Sequence, residues 1–203
     1  MDDLPEYCTA RVLVLGCGNP LVGDDGFGPA VAELLLSEGA GREAQGAVLK
    51  AQGTGRKEQG TGEAARSLAP CAVRLAPSIC VLNAGTGART IIFNLATGEP
   101  RPKGIIIVDA LDAGKRPGEL FEPPLESLGL EKAEDFNVHM TPASNMLLKL
   151  RELGVEIRLL ACQPAPLPGM LRPGLSAAGA SAVAPAARRT MEMARVLLAA
   201  RRA

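Results

Sequence analysis

Two adjacent carboxylates, Asp24 and Asp25, follow the chain's first apolar run and its glycine-containing loop. A third, Asp109, closes the run GIIIVDA, and His139, the only histidine, precedes a helical stretch. Carboxylates and one imidazole make a mixed oxygen and nitrogen donor set, suited to a borderline divalent metal such as zinc or nickel, with coordination positions left for substrate. Asn19, Asn83, Thr86 and Gln163 stand at comparable points after apolar runs. Each residue alone has a plain structural role. Asp24 or Asp25 could N-cap the helix that follows, Asp109 could form a turn, and a lone histidine is more often structural than a ligand. Their convergence at one place is what calls for chemistry, either a metal-assisted hydrolase or a metal-sensing binding module.

The elements that bring them together alternate. Residues 11–16 (RVLVLG) predict a strand, 27–37 a helix, 79–83 a strand, a stretch to about residue 96 a helix stopped at Gly98, and 104–110 a strand covered on both faces. Residues 119–122 predict a short edge strand. Thr141 and Pro142 open a helix that ends at Gly154, residues 155–162 form the next strand, and a final Ala-rich helix carries Arg201 and Arg202 in its last turn. This order predicts a three-layer α/β/α domain over residues 1–203, with a mainly parallel, twisted sheet of about five strands and helices on both faces. In such sheets the ligand crevice lies outside the carboxyl ends of the strands, where the residues above stand. Residues 39–77, rich in Gly, Ala, Gln and Arg, break the pattern and are expected to be a solvated, flexible insertion.

Composition removes other classes. Lys and Arg (22) balance Asp and Glu (22), which argues against a nucleic-acid-binding face. The five cysteines contain no C-x-x-C pair, so neither a disulfide framework nor a cysteine-rich zinc site is expected. The acidic start and the lack of a long apolar stretch predict a cytoplasmic protein without membrane insertion. Gly16, Gly18 and Gly23 suggest a dinucleotide loop, but Leu21 occupies the third glycine's place and Asp24 and Asp25 would repel a pyrophosphate. Ser176 and Cys17 lack a base partner for a triad hydrolase using His139.

Taken in order, the motifs are Gly18-Asn19-Pro20-Leu21 with Asp24-Asp25-Gly26 and Gly28, Ala84-Gly85-Thr86, Val108-Asp109-Ala110, Pro117-Gly118, His139, and Gly174-Leu175-Ser176. Together they resemble the hydrogenase maturation endopeptidases, which remove a C-terminal peptide from the large-subunit precursor of nickel-iron hydrogenases once nickel is inserted. The resemblance implies that Asp25, Asp109 and His139 are the catalytic and metal-contacting residues and bind nickel carried by the substrate, with zinc or cadmium able to replace it in the isolated protein. It places Asn19, Asp24, Asn83 and Thr86 around them, orienting ligands or touching substrate. The family often has Asp where this chain has Asn83, and it normally lacks the 39–77 insertion. Asp112-Ala113-Gly114, Asp135-Phe136 and Cys162-Gln163-Pro164 resemble most the branch serving deazaflavin-reducing hydrogenases of methanogens. A non-catalytic metallocentre-binding chaperone with the same ligands is the alternative. A small-molecule hydrolase or nucleotide binder is a third.

Overall fold

In the computed structural model, residues 6–51, 72–76, 78–127, 144–166 and 171–199 are described. Four apolar segments form the parallel heart of the sheet: β1 (Val12–Cys17), β3 (Ile79–Gly85), β4 (Gly104–Ala110) and β6 (Glu156–Cys162). β1 lies between β3 and β4, and β4 pairs with β6 on its other side. Two antiparallel strands, β2 (Ala72–Ala76) and β5 (Leu120–Phe121), form the edges, giving the order β2-β3-β1-β4-β6-β5. Because the four central strands run one way, Cys17, Gly85, Ala110 and Cys162 end at one rim.

Alternate residues of each strand face opposite sides, and each side has its own core. On one, Val12, Val14, Val81, Ile106 and Leu160 pack with α2 (Phe27–Ala51) and α5 (Ala177–Ala199) through Phe27, Val31, Leu35, Met193 and Leu197. On the other, Leu13, Leu15, Leu82, Ile105 and Ile107 meet Ile92 and Leu95 of α3 (Ala88–Thr97) and Leu147 and Leu150 of α4 (Ser144–Glu152). The unbroken apolar run of β4 is therefore explained by burial on both faces. A short helix, α1 (Glu6–Thr9), precedes β1.

The approach of α2 to the sheet depends on Gly28. A Cβ there would overlap the Val108 carbonyl oxygen and both the nitrogen and the oxygen of Cys17. Those obstacles are backbone, which cannot rotate aside as a side chain can. Gly28→Ala is expected to destabilise the protein by about 3 kcal/mol, since overpacking forces backbone shifts. Urea denaturation measures this, and an unchanged midpoint would contradict the close packing.

The reading of residues 39–77 as a solvated insertion is corrected at both ends. α2 does not stop near residue 37 but runs to Ala51, and Ala72–Ala76 is a sixth strand, paired antiparallel with β3 in the register Val73↔Val81. Residues 39–51 carry no clear apolar stripe, but Ala, Arg, Glu, Gln, Leu and Lys favour helix strongly enough to absorb three glycines at about 1 kcal/mol each. The strand AVRLA is simply too short to show a period. Thr141 and Pro142, and Arg201 and Arg202, lie outside the described residues.

Candidate active site

At the end of β1 the chain turns through Gly18, whose φ of 118° is a conformation that L side chains rarely adopt. A Cβ at this position would overlap the carbonyl oxygen of Asp25 and lie 3.3 Å from Asp109 Oδ1. Gly18 thus lets the loop carrying Asp25 fold down beside Asp109. Within that loop the Asn19 N–H donates to Asp25 Oδ2 at 2.9 Å, Asn19 Oδ1 accepts the Leu21 N–H at 3.0 Å, and the Asn19 carbonyl accepts the Val22 N–H at 3.1 Å. Asn19 therefore shapes the loop and holds Asp25, which sits in a single turn of 3-10 helix, Gly23–Gly26.

Asp109 is the penultimate residue of β4 and accepts its neighbour's N–H, Ala110 N to Oδ1, at 2.8 Å. Burial pushes its carboxyl up to about 7; the Ala110 N–H opposes the rise and the Asp25 charge adds to it. Two carboxylates thus share one poorly hydrated corner, and the deeper one resists ionisation. Cys17 lines the same corner. Its thiol is held well above its ordinary value by burial and by the charge of Asp109, and its Sγ faces the Leu15 carbonyl at 3.8 Å. It stays a neutral thiol and is not an activated nucleophile.

Asp24, adjacent in sequence, has a different task. Asp24 and Asp25 both lie inside the 3-10 turn, and of the expectation that Asp24 or Asp25 N-caps the following helix, the Asp24 half is corrected by the partners that its oxygens take. Instead Asp24, 3% exposed, accepts the Ser176 N–H at 2.6 Å, the Ser176 hydroxyl at 2.8 Å and the Ala165 N–H at 2.8 Å. Ser176 Oγ in turn accepts the Gly179 N–H at 3.0 Å and caps α5. The carboxylate lies where the positive end of that helix favours it. Ser176 is therefore a capping residue, which removes it as a nucleophile.

Asn83, at the end of β3, donates from Nδ2 to Glu33 Oε1 of α2 at 3.2 Å, and Thr86 is exposed in the turn that follows. His139 lies outside the described residues. Among the described residues no three His, Cys, Asp or Glu side chains gather as a metal-binding group; Asp25 and Asp109 supply two carboxylates. The glycines that suggested a dinucleotide loop serve packing instead, since a Cβ on Gly16 would overlap the Gly28 carbonyl oxygen and crowd Ala32.

The sequence marks Gln163 only as a polar group after the last strand. It is 5% exposed; its Oε1 accepts the N–H groups of Ala113 (2.8 Å) and Lys115 (3.0 Å), and its Nε2 donates to Asp112 Oδ1 (2.9 Å) and the Pro164 carbonyl (3.3 Å). It fixes the 112–115 loop immediately beyond Asp109. The two bonds to Asp112, from Gln163 and from the Gly114 N–H, hold the Asp112 carboxyl below its ordinary value.

An α/β/α sandwich with two carboxylates at the carboxyl rim of its parallel sheet is the architecture of a hydrolase, and comparison with known proteins gives the class. The family model described as hydrogenase maturation protease matches residues 68–193, more than half of the chain, and the chain belongs to that family of peptidases. A Methanocaldococcus jannaschii protein that bears a hydrogenase maturation protease name is 27% identical over 174 residues, covering 85% of this chain and 88% of the relative. The coenzyme F420 hydrogenase subunit delta of Methanothermobacter thermautotrophicus is 27% identical over 155 residues, 76% of this chain and 75% of the relative. The hydrogenase maturating endopeptidase HybD of E. coli shares the fold, with a TM-score of 0.58 at 20% identity over 91% of this chain and 92% of that one. No helix among the described residues is long and apolar enough to cross a membrane.

Proposed function

We propose that this chain is the cytoplasmic endopeptidase that removes the C-terminal extension of a nickel-iron hydrogenase large-subunit precursor after nickel insertion. The observation that carries the reading is the pairing of Asp25 with Asp109 at the rim, with the deeper carboxyl held near 7. Two carboxylates that repel one another in a poorly hydrated corner gain most from an arriving divalent cation, which removes both the repulsion and the cost of ionising Asp109. The nickel is part of the substrate. Asp25 and Asp109, completed by His139, contact it and so set the adjoining peptide bond against the carboxylates. Zinc or cadmium would occupy the same donors in the isolated protein. Water adds to the scissile carbonyl carbon, the C–N bond breaks and the leaving nitrogen takes a proton. The 27% identity to a coenzyme F420 hydrogenase subunit supports a precursor from the deazaflavin-reducing branch.

The test is to mix the purified chain with precursor made with and without nickel and to weigh the products. Loss of the C-terminal peptide only from nickel-loaded precursor is expected. Efficient cleavage of nickel-free precursor, or a tightly held stoichiometric metal in the purified chain, would point to a conventional metalloprotease. Unchanged mass in both arms would favour the non-catalytic chaperone.

A further inference from the structure

Beside the carboxylates two leucines stand in water, Leu21 49% and Leu171 69% exposed. They come from distant parts of the chain and are joined by a parallel bridge between Val22 and Arg172. In that bridge the Arg172 N–H donates to the Leu21 carbonyl and the Gly23 N–H to the Arg172 carbonyl, both at 2.8 Å. Parallel register makes Leu171 the partner of Leu21, so the two side chains leave the paired backbones on the same side. The pair is also fixed relative to the reacting groups. Leu21 is tied through Asn19 to Asp25, and the run after Arg172 is tied through Ser176 to Asp24. The bridge uses the backbone polar groups of Arg172, and those of Leu171 find no partner among the described residues. A single exposed leucine is ordinary, whereas an apolar pair on a rigid backbone with an open edge is a recognition feature.

We propose that Leu21 and Leu171 form a ledge that receives an apolar side chain of the substrate polypeptide, bound extended along the open edge at Leu171 within a few residues of the scissile bond. The inference rests on Asp25 and Asp109 as the reacting centre. The occupant is a polypeptide because the family cleaves one, and it is extended because the backbone polar groups of Leu171, unpaired among the described residues, suit an extended partner. Leu21 lies only four residues from Asp25, and an extended chain covers about 3.3 Å per residue, so a side chain near the cleaved bond reaches the ledge.

The double variant Leu21→Ser with Leu171→Ser should raise KM for nickel-loaded large-subunit precursor by about tenfold or more, the affinity equivalent of one leucine-sized apolar contact. It should leave kcat within about twofold, and Leu21→Met with Leu171→Met should restore KM. In an Asp109→Asn background, where precursor is not cut, the serine pair should weaken the Kd of fluorescently labelled precursor by the same factor relative to Asp109→Asn alone. An unchanged KM and Kd with Asp109→Asn inactive would overturn the ledge and spare the reacting centre. Wild-type processing by Asp109→Asn would overturn the reacting centre itself. A dimer of this chain that the serine pair dissociates would assign the leucines to self-association instead.

Discussion

Asp109→Asn is expected to abolish precursor processing and, at about pH 8, to raise the melting temperature. Both effects follow from one carboxyl. Its folded pKa of about 7 lies above the ordinary value of 3.8, so between these limits the folded chain binds more protons than the unfolded chain. Stability therefore falls as pH rises through that window, and the whole cost is present above about 7. At about 1.4 kcal/mol per pH unit, the displacement corresponds to about 4 kcal/mol when the window is complete. Asparagine cannot ionise, yet its Oδ1 can still accept the Ala110 N–H. The variant and the wild type should then melt together near pH 4 and separate by several degrees near pH 8. A variant that melts lower than wild type at pH 8, with no dependence of the gap on pH, would show that Asp109 stabilises the fold. Wild-type processing would remove it from the site.

Asp24→Ala is expected to cost about 3–5 kcal/mol, since each buried donor left without a partner costs about 1–3 kcal/mol. The loss strands three donors, Ser176 N–H, Ser176 O–H and Ala165 N–H, two of them backbone groups. Asp24→Asn keeps one accepting oxygen and should fall between. Asp25→Asn should stay within about 1 kcal/mol of wild type, since Asp25 is only part-buried and accepts one N–H from Asn19. Chemical denaturation of the three variants side by side decides the matter, and similar midpoints for Asp24→Ala and Asp25→Asn would overturn the division of labour.

That division could not be read from the sequence. Asp24 and Asp25 are neighbours of identical type, and what separates them is a set of partners 141 and 152 positions further along the chain. The parallel strands were legible because burial on both faces writes itself as a continuous apolar run, as in GIIIVDA. The pairing of Asp25 with Asp109 followed from the same order, since strand ends of a parallel sheet share a rim. β2 was hidden by its shortness, and the second half of α2 by its Ala-rich composition, which favours helix without marking a face. Gln163 was visible as a residue but not as a hub. An amide that reaches full burial must find partners for all its polar atoms, and those partners lie in a loop that carries no pattern.

The bridge from Asp24 to Ala165 and Ser176 also orders events in time. β1 lies at the centre of the sheet and is made early, but its rim loop is pinned by residues that leave the ribosome much later, at about 5–20 residues per second. Contacts of such sequence separation are slow to close because loop-closure entropy must be overcome before they form. The loop that carries Asp25 is thus expected to be fixed on its Asp24 side only after those distant segments have docked. Until Ala165 and Ser176 have been made, Asp24 lacks the partners that tie the rim loop to the start of α5.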